Sequence, residues 1–448
     1  MVLMLGGVIT VLTLNIGLDD TDSPRGGCTT HLCAVLVELL SKLKVKFRDY
    51  PLLIRLNPNV PFKTRGNGAV CLRLEVEKKA VDVIKELVLK EVSRLADLSF
   101  SGTDPGVAFL LGDIPAELRR LSEQAMCDMV SLNEAFRIAE KCGAEIHTFK
   151  EGRGIIGALA AIGETLEDDY TYELITYRVP ENWGKPRAID IESVKEMDRL
   201  TSPDTFNNID DDRVLIAPHG PDPVLYGVRG ESPEVLLKAY KLVKVHEPIE
   251  RWVIFRSNQG TDAHLRVKRK ICNAHPYMSA VIEGVVSSKP VVSQGGHVFV
   301  KIRDDTGEIN CAAYEPAGSF RWVISDLIPG DVVRVYGGIR PPSLSHPKTL
   351  NLEKIEIVKL APNLKLHNPI CPNCGKRTSS AGRGQGFKCK KCGKKIFAEK
   401  VTVELARRIT ESIYIPPPRA QRHLTRPYSR LNRKNAPPIK LLDPWHFP

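Results

Sequence analysis

The stretch Val11-Leu-Thr-Leu-Asn-Ile-Gly-Leu-Asp-Asp-Thr-Asp-Ser23 decides how the first half of the chain is read. A β-type apolar run over 11–18 leads straight into Asp19, Asp20 and Asp22. It predicts a buried strand whose end carries three carboxylates. Ionised carboxylates that close repel one another, and each is costly unless a cation sits among them. Mg2+ takes a few carboxylates together with phosphate oxygens and water. Pro24-Arg25-Gly26-Gly27 then predicts a turn, and Thr29 or Thr30 is placed to N-cap a helix. Leu32, Val35, Leu36, Leu39, Leu40 and Leu43 fall on one face of that helix. Backbone N–H groups at such a turn and helix start favour an anion. Carboxylates for a metal beside a cradle for phosphate are what phosphoryl chemistry needs. Taken alone, Asp-Asp-Thr-Asp-Ser is equally a solvated turn.

Two further segments tip that balance. Lys63-Thr-Arg65-Gly66-Asn67-Gly68 is a basic, flexible loop before the alternating strand of Val70, Leu72, Leu74 and Val76. Arginine offers a fork for phosphate, and glycine lets the backbone approach it. Gly152-Arg153-Gly154 opens an apolar helix running to Gly163. Each alone reads as a plain turn, but three phosphate-suited segments in one domain make coincidence a poor account. There is no Walker loop and no Gly-x-Gly-x-x-Gly fingerprint. With helices over 78–92 and 131–141, these segments predict an α/β domain over 1–200, closed by Thr201-Ser202-Pro203.

Beyond it, a strand over 214–217, a helix over 233–242 and a strand over 252–255 predict a ferredoxin-like α/β domain over 201–272. The pattern then turns all-β, with strands over 280–286, 297–302, 309–314, 332–336 and 350–358. Five strands with an Asp-Asp-Thr-Gly hairpin turn fit an OB-type barrel over 273–362. A different small barrel is the alternative.

Cys371-x2-Cys374-x14-Cys389-x2-Cys392 is the most specific pattern in the chain. Four thiolates at this spacing close a tetrahedral zinc site, and Gly375 and Gly393 follow each pair where a tight turn is needed. Four cysteine ligands leave no open position, so the zinc of this ribbon (363–402) is structural. Arg383, Lys388, Lys390, Lys391, Lys394 and Lys395 give the ribbon a nucleic-acid character. A basic tail is expected over 403–448.

The 448 residues carry a net charge of +11, unevenly placed. From Cys371 onward there are 18 Lys and Arg against 4 Asp and Glu, while the remainder is close to neutral. A polyanion held at that end explains this, against the alternative of a solvated tail. Eleven cysteines without a disulfide framework point to a reducing compartment. The apolar first 18 residues contain no Lys or Arg, unlike a signal peptide, and no other segment is long enough to span a bilayer. His219, His264, His275 and His346 lack ligand spacing and read as surface or turn residues, and Trp252 and Trp322 as core.

These residues resemble the archaeal family of 2-agmatinylcytidine synthetases that act on an isoleucine tRNA. The resemblance is carried by Gly17-Leu-Asp-Asp-Thr-Asp-Ser23, Gly27-Cys-Thr-Thr30, Ile54-Arg-Leu-Asn57, Lys63-Thr-Arg-Gly-Asn-Gly-Ala-Val70 and Gly152-Arg-Gly154. Further along it continues through Arg229-Gly-Glu-Ser232, Gly295-Gly-His-Val-Phe299 and Ser380-Ala-Gly-Arg-Gly-Gln-Gly-Phe387. Only the leader departs, being longer here, with Met4 as a second candidate start. The resemblance implies a cytoplasmic, ATP-dependent ligase that joins agmatine to C2 of the wobble cytidine of the isoleucine tRNA whose anticodon is CAU. It implies a kinase-like N-terminal module in which Asp19, Asp20 and Asp22 hold Mg2+ and ATP. Thr29 corresponds to a threonine that becomes phosphorylated. Lys63, Arg65 and Arg153 contact phosphates, beside Gly26, Gly27, Thr30, Gly66, Asn67 and Gly68. Two other readings remain: a single-strand nucleic-acid-binding protein built on the barrel and ribbon, and a different ATP-dependent RNA-modifying enzyme.

Overall fold

The computed structural model describes residues 11–448 other than Lys44, Arg65 and Ser345. The leader with Met4, and Arg65 of the basic loop, thus lie outside the described residues. In chain order the body comprises β1 (Val11–Asp19), α1 (Thr29–Lys42), β2 (Leu52–Arg55), β3 (Gly68–Glu77) and α2 (Val81–Leu95). Then follow β4 (Gly106–Leu111), α3 (Ala116–Cys127), α4 (Leu132–Cys142), β5 (Glu145–Thr148) and α5 (Gly154–Gly163). The second part of the body is β6 (Thr171–Arg178), α6 (Ile191–Thr201), β7 (Val224–Gly230), α7 (Pro233–Leu242) and β8 (Ile249–Ser257).

The first strand is central because both of its edges are paired. Ile16 stands opposite Leu72 of β3 on one side and Phe109 of β4 on the other, both antiparallel. Leu14, Ile16 and Leu18 are fully buried, which is why the run is apolar up to its acidic end. The sheet continues in the order β5-β4-β1-β3-β2-β8-β6-β7. All these pairings are antiparallel except β2–β8, where Leu52 faces Arg256 and Leu53 faces Ser257 in parallel. α5 lies on β1, β3 and β4 and is roofed by α3 and α4. Nine of its ten residues are buried, which accounts for its apolar composition on every side.

Three expectations change here. The sheet does not break at residue 200: β6, from before that point, sits between β7 and β8, from after it. The β2–β8 seam is instead where the sheet changes from its first to its second set of strands. The strand expected over 214–217 is only Arg213–Val214, and the strand that matters is β7. The cap position of α1 is taken by Cys28, whose side chain contacts the Thr30 hydroxyl at 3.0 Å rather than capping the helix backbone, so neither Thr29 nor Thr30 is the N-cap.

The barrel is formed by β9 (Ser279–Val286), β10 (Val298–Arg303), β11 (Glu308–Ala313), β12 (Val332–Arg340) and β13 (Thr349–Lys359). Pairing of β9 with both β12 and β10 closes it, as the five-stranded OB reading requires. Trp252 is buried as expected, whereas Trp322, on the short helix α8 (Phe320–Ser325), is 62% exposed. The ribbon hangs on a hairpin stalk of Leu364–His367 against Val401–Glu404.

The segment 403–448 is not a free tail. His446–Phe447 adds a short strand to β8, and the Trp445 ring packs 5.2 Å from Phe47. Arg430 is fully buried and paired with Asp169 at 3.0 Å and Glu231 at 2.6 Å. Its arginines read as a solvated run in sequence because the carboxylates they meet are remote: 76 residues away for Arg407 and about two hundred or more for Arg419, Arg426, Arg430 and Arg433. No helix among the described residues is long and apolar enough to cross a membrane.

Candidate functional site

The end of β1, the start of α5 and the loop before β3 meet in a cavity of about 450 Å3. Its walls include Asp19, Asp20, Asp22, Lys63, Gly66, Asn67, Gly68 and Arg153, with Leu56, Phe62, Met129 and Ile156 as apolar lining. Asp19 lies against α5 at a point where only glycine fits: a Cβ on Gly157 would fall 1.8 Å from its Oδ2. Gly17 admits the same helix, since a Cβ there would meet the Ala158 carbonyl oxygen at 2.1 Å. These contacts set α5 directly on β1 and bring its N-terminus to the carboxylates.

Asp20 takes the left-handed backbone conformation, with φ 57°. Its carboxylate accepts from Arg153 Nε at 3.2 Å and from a terminal nitrogen of the same guanidinium at 3.0 Å. Burial, and next the charge of Asp20, push the Asp19 carboxyl well above its usual range. Burial also raises Asp20, opposed by Arg153. Desolvated, mutually repelling carboxylate oxygens suit a hard divalent cation. Lys63 donates to the Pro58 carbonyl, and burial, then Arg422, lowers its ammonium below the usual lysine range. The turn Ser23–Gly26 is closed by backbone bonds of 2.9 and 3.2 Å, and Gly27 has φ 74°.

Asp104 carries no signal in the sequence. It is 3% exposed and accepts the backbone N–H groups of Gly152 at 2.8 Å and Arg153 at 2.9 Å. The loop carrying Lys63 is tied to the barrel: Asn57 donates to the Tyr277 carbonyl at 2.8 Å and Asn59 to the Ser279 hydroxyl at 2.9 Å.

A second cavity of about 470 Å3 adjoins the first, and Asp22, Gly66 and Gly68 line both. Thr29 and Thr30 stand in the second, with the Thr29 hydroxyl 3.0 Å from that of Thr21. Most of the expected site residues are therefore brought together, but divided between two chambers, while Gly26 and Gly27, in the turn beside Asp22, line neither. Arg55, Glu173, Arg229 and His423 also line the second. Arg55 and Arg229 lie within stretches that carry the family resemblance; Glu173 and His423 have no local signal.

In the ribbon, the sulfur atoms of Cys371, Cys374, Cys389 and Cys392 all lie within 4.8 Å of one another. Two matching knuckles hold them: Gly375 N–H donates to Cys371 O, and Gly393 N–H to Cys389 O, each at 2.9 Å. Both glycines have positive φ, 67° and 72°.

Family models match this chain as a TiaS TCKD domain over 15–87, a TiaS FLD domain over 152–264 and a TiaS C-terminal zinc ribbon domain over 368–409. A general OB-fold nucleic acid binding domain matches 280–358. The isoleucine-tRNA 2-agmatinylcytidine synthetase TiaS of Pyrococcus horikoshii is 46% identical over 418 residues, covering 93% of this chain and 97% of the relative. The chain belongs to the isoleucine-tRNA 2-agmatinylcytidine synthetase (TiaS) family. The TiaS of Archaeoglobus fulgidus is 44% identical, over 93% of this chain and 97% of its own. Among solved structures, a complex of TiaS with its isoleucine tRNA and ATP superposes with a TM-score of 0.85 at 42% identity, covering 96% of this chain and 99% of that one. A complex of TiaS with the same tRNA, AMPCPP and agmatine gives 0.82 at 40% identity, over 96% and 99%. The OB-fold and zinc-ribbon readings of this chain thus hold.

Proposed function

We propose that this TiaS-family chain joins agmatine to C2 of the wobble cytidine of an isoleucine tRNA, using ATP, and so switches the CAU anticodon from reading AUG to reading AUA. The reaction class is that of an ATP-dependent ligase, and the compartment is the cytoplasm. Family membership supports the substrates. The observation that carries the chemistry is the pair of cavities meeting at Asp22, Gly66 and Gly68. One chamber can hold a nucleotide while the other presents an acceptor to its phosphate end.

ATP is assigned to the first chamber, with Asp19, Asp20 and Asp22 supplying oxygens for Mg2+, which would offset phosphate charge there. Lys63, Gly66, Asn67, Gly68 and Arg153, which line that chamber, are assigned to the phosphates, and Gly26, Gly27, Thr30 and Arg65 join them on the resemblance alone. Thr29, in the second chamber, is the candidate phosphoryl acceptor. The C2 oxygen of cytidine is a poor leaving group, and phosphorylation makes it a good one. A base in an anticodon loop is unpaired and can be turned into such a chamber. The barrel supports the loop that both chambers share, and the ribbon supplies positive charge for the RNA backbone.

The test is incubation with ATP, labelled agmatine and tRNA transcripts differing only at the wobble base. Label should enter the cytidine transcript alone, and mass analysis of the nucleoside should return agmatinylcytidine. Label in every transcript, or in none, overturns the reading.

A further inference from the structure

The second cavity has a cationic corner to which the reading above gives no task. Arg229 donates through a terminal nitrogen to His423 Nδ1 at 2.7 Å and through Nε to Glu173 at 3.2 Å. The Arg55 guanidinium lies 4.0 Å from Glu173 and donates through Nε to Gln259 at 3.2 Å. Gln259 in turn donates to the other Glu173 oxygen at 2.5 Å. One carboxylate thus faces two guanidinium groups at ion-pair distance, with the charge of Asp22 acting on Arg55 from further off. The side chains of Arg55 and Arg229 are only 15% and 20% exposed. They sit inside the cavity rather than on its rim.

His423 comes from the C-terminal segment and completes the corner. Arg55 first, then burial, then Arg229 and Arg422, hold its pKa well below the usual histidine range. Its ring is therefore neutral, and since Nδ1 accepts from Arg229, the ring proton is on Nε2. Gly66 stands against both this nitrogen and Arg55: a Cβ there would lie 2.9 Å from Nε2 and 3.1 Å from a terminal nitrogen of Arg55. Gly66 lines both chambers, so the corner lies where they join.

We propose that Arg55, Arg229 and His423 form a phosphate-binding site at the junction of the chambers, which holds the phosphoryl group on the C2 oxygen and receives it as inorganic phosphate when the amine replaces it. This rests on the function proposed above. In that step the amine lone pair forms the N–C2 bond. The C2–O bond breaks, its electron pair leaves with the phosphate oxygen, and the amine proton passes to phosphate or solvent. Two guanidinium forks match a phosphate dianion. A neutral imidazole adds an N–H donor without further repulsion between cations.

The experiment uses full-length protein, saturating ATP labelled at the γ position, agmatine and the CAU transcript, with inorganic phosphate added as the probe. Phosphate should inhibit the wild type. Arg229→Met and His423→Ala should each raise its inhibition constant, and slow label release in a single turnover, by about tenfold. His423→Gln, which keeps a neutral N–H donor, should recover most of both. tRNA affinity by filter binding should stay within about twofold in all three, because the RNA backbone is held elsewhere. A wild type that joins agmatine but is indifferent to phosphate overturns the site. So do variants that lose tRNA affinity while keeping wild-type phosphate inhibition, since the corner then grips the RNA backbone. A wild type that joins no agmatine at all refutes the proposed function instead, so the two failures are distinguishable.

Discussion

The Asp104 carboxylate accepts the backbone N–H of Arg153 at 2.9 Å, and the Arg153 guanidinium in turn holds Asp20. A buried acid thus positions the cation bonded to Asp20 at the end of β1. Asp104→Ala removes two charge-assisted bonds, to Gly152 and Arg153, each worth about 1.5–3 kcal/mol. We expect at least about a tenfold rise in KM for ATP. tRNA affinity should be unchanged, as read by steady-state kinetics beside filter binding.

Gly157→Ala should abolish ATP-dependent modification while leaving tRNA binding intact. The added methyl would stand 1.8 Å from Asp19 Oδ2, so either α5 or the carboxylate has to move. The strain should cost about 1–3 kcal/mol in thermal or chemical unfolding. Combining it with Asp19→Ala, which leaves only the Cβ of residue 19 at 2.9 Å from the methyl, should recover part of the stability but not activity. If stability is not recovered, the clash lies elsewhere.

Deleting everything after residue 367 should destabilise the whole chain. It strips Asp169 of both Arg426 and Arg430, and an uncompensated buried charge costs about 3–5 kcal/mol. Replacing only 368–400 by a short turn should be tolerated, because the stalk pairs His367 with Val401 and would remain closed. That excision removes nine Lys and Arg against one Glu. It should flatten the salt dependence of tRNA binding and weaken many tRNAs alike. An unchanged salt slope would assign the grip to other surfaces.

The barrel should loosen from the body in acid. Buried Glu353 of β13 accepts from His264 at 2.8 Å across that interface. Burial alone would raise its carboxyl, but His264, then Arg422 and Lys354, hold it below the usual glutamate range. A depressed folded pKa gives stability that is present above the unfolded value of about 4.3 and is lost as pH falls through the folded one. Glu353→Gln should remove that acid dependence and cost about 2 kcal/mol at neutral pH, measured by denaturant unfolding.

Much is legible locally. Strand β1 and its carboxylates, the helix over 233–242, the five barrel strands and the four zinc ligands each carry their signal within a few residues. His264 reads as a surface or turn residue, yet it is buried, because its partner Glu353 is 89 residues away. Asp104, Glu173 and His423 stay hidden for the same reason: a lone polar residue has no period and no spacing. The basic C-terminal segment reads as a tail because its charge is visible and its carboxylate partners, in other elements, are not.

The sequence by itself determined the local elements, because helical and strand periodicity, turn glycines and cysteine spacing act over one or two turns of chain. It also determined family kinship, through contiguous motifs. Tertiary structure alone decided that β6 joins β7 and β8 across residue 200, that Asp19 and Asp20 face one chamber and Thr29 the other with Asp22 lining both, and that His423 reaches the second one. These depend on strand order and long-range pairing, where the free energy of burial is shared among residues far apart in the chain. No window of sequence contains both partners.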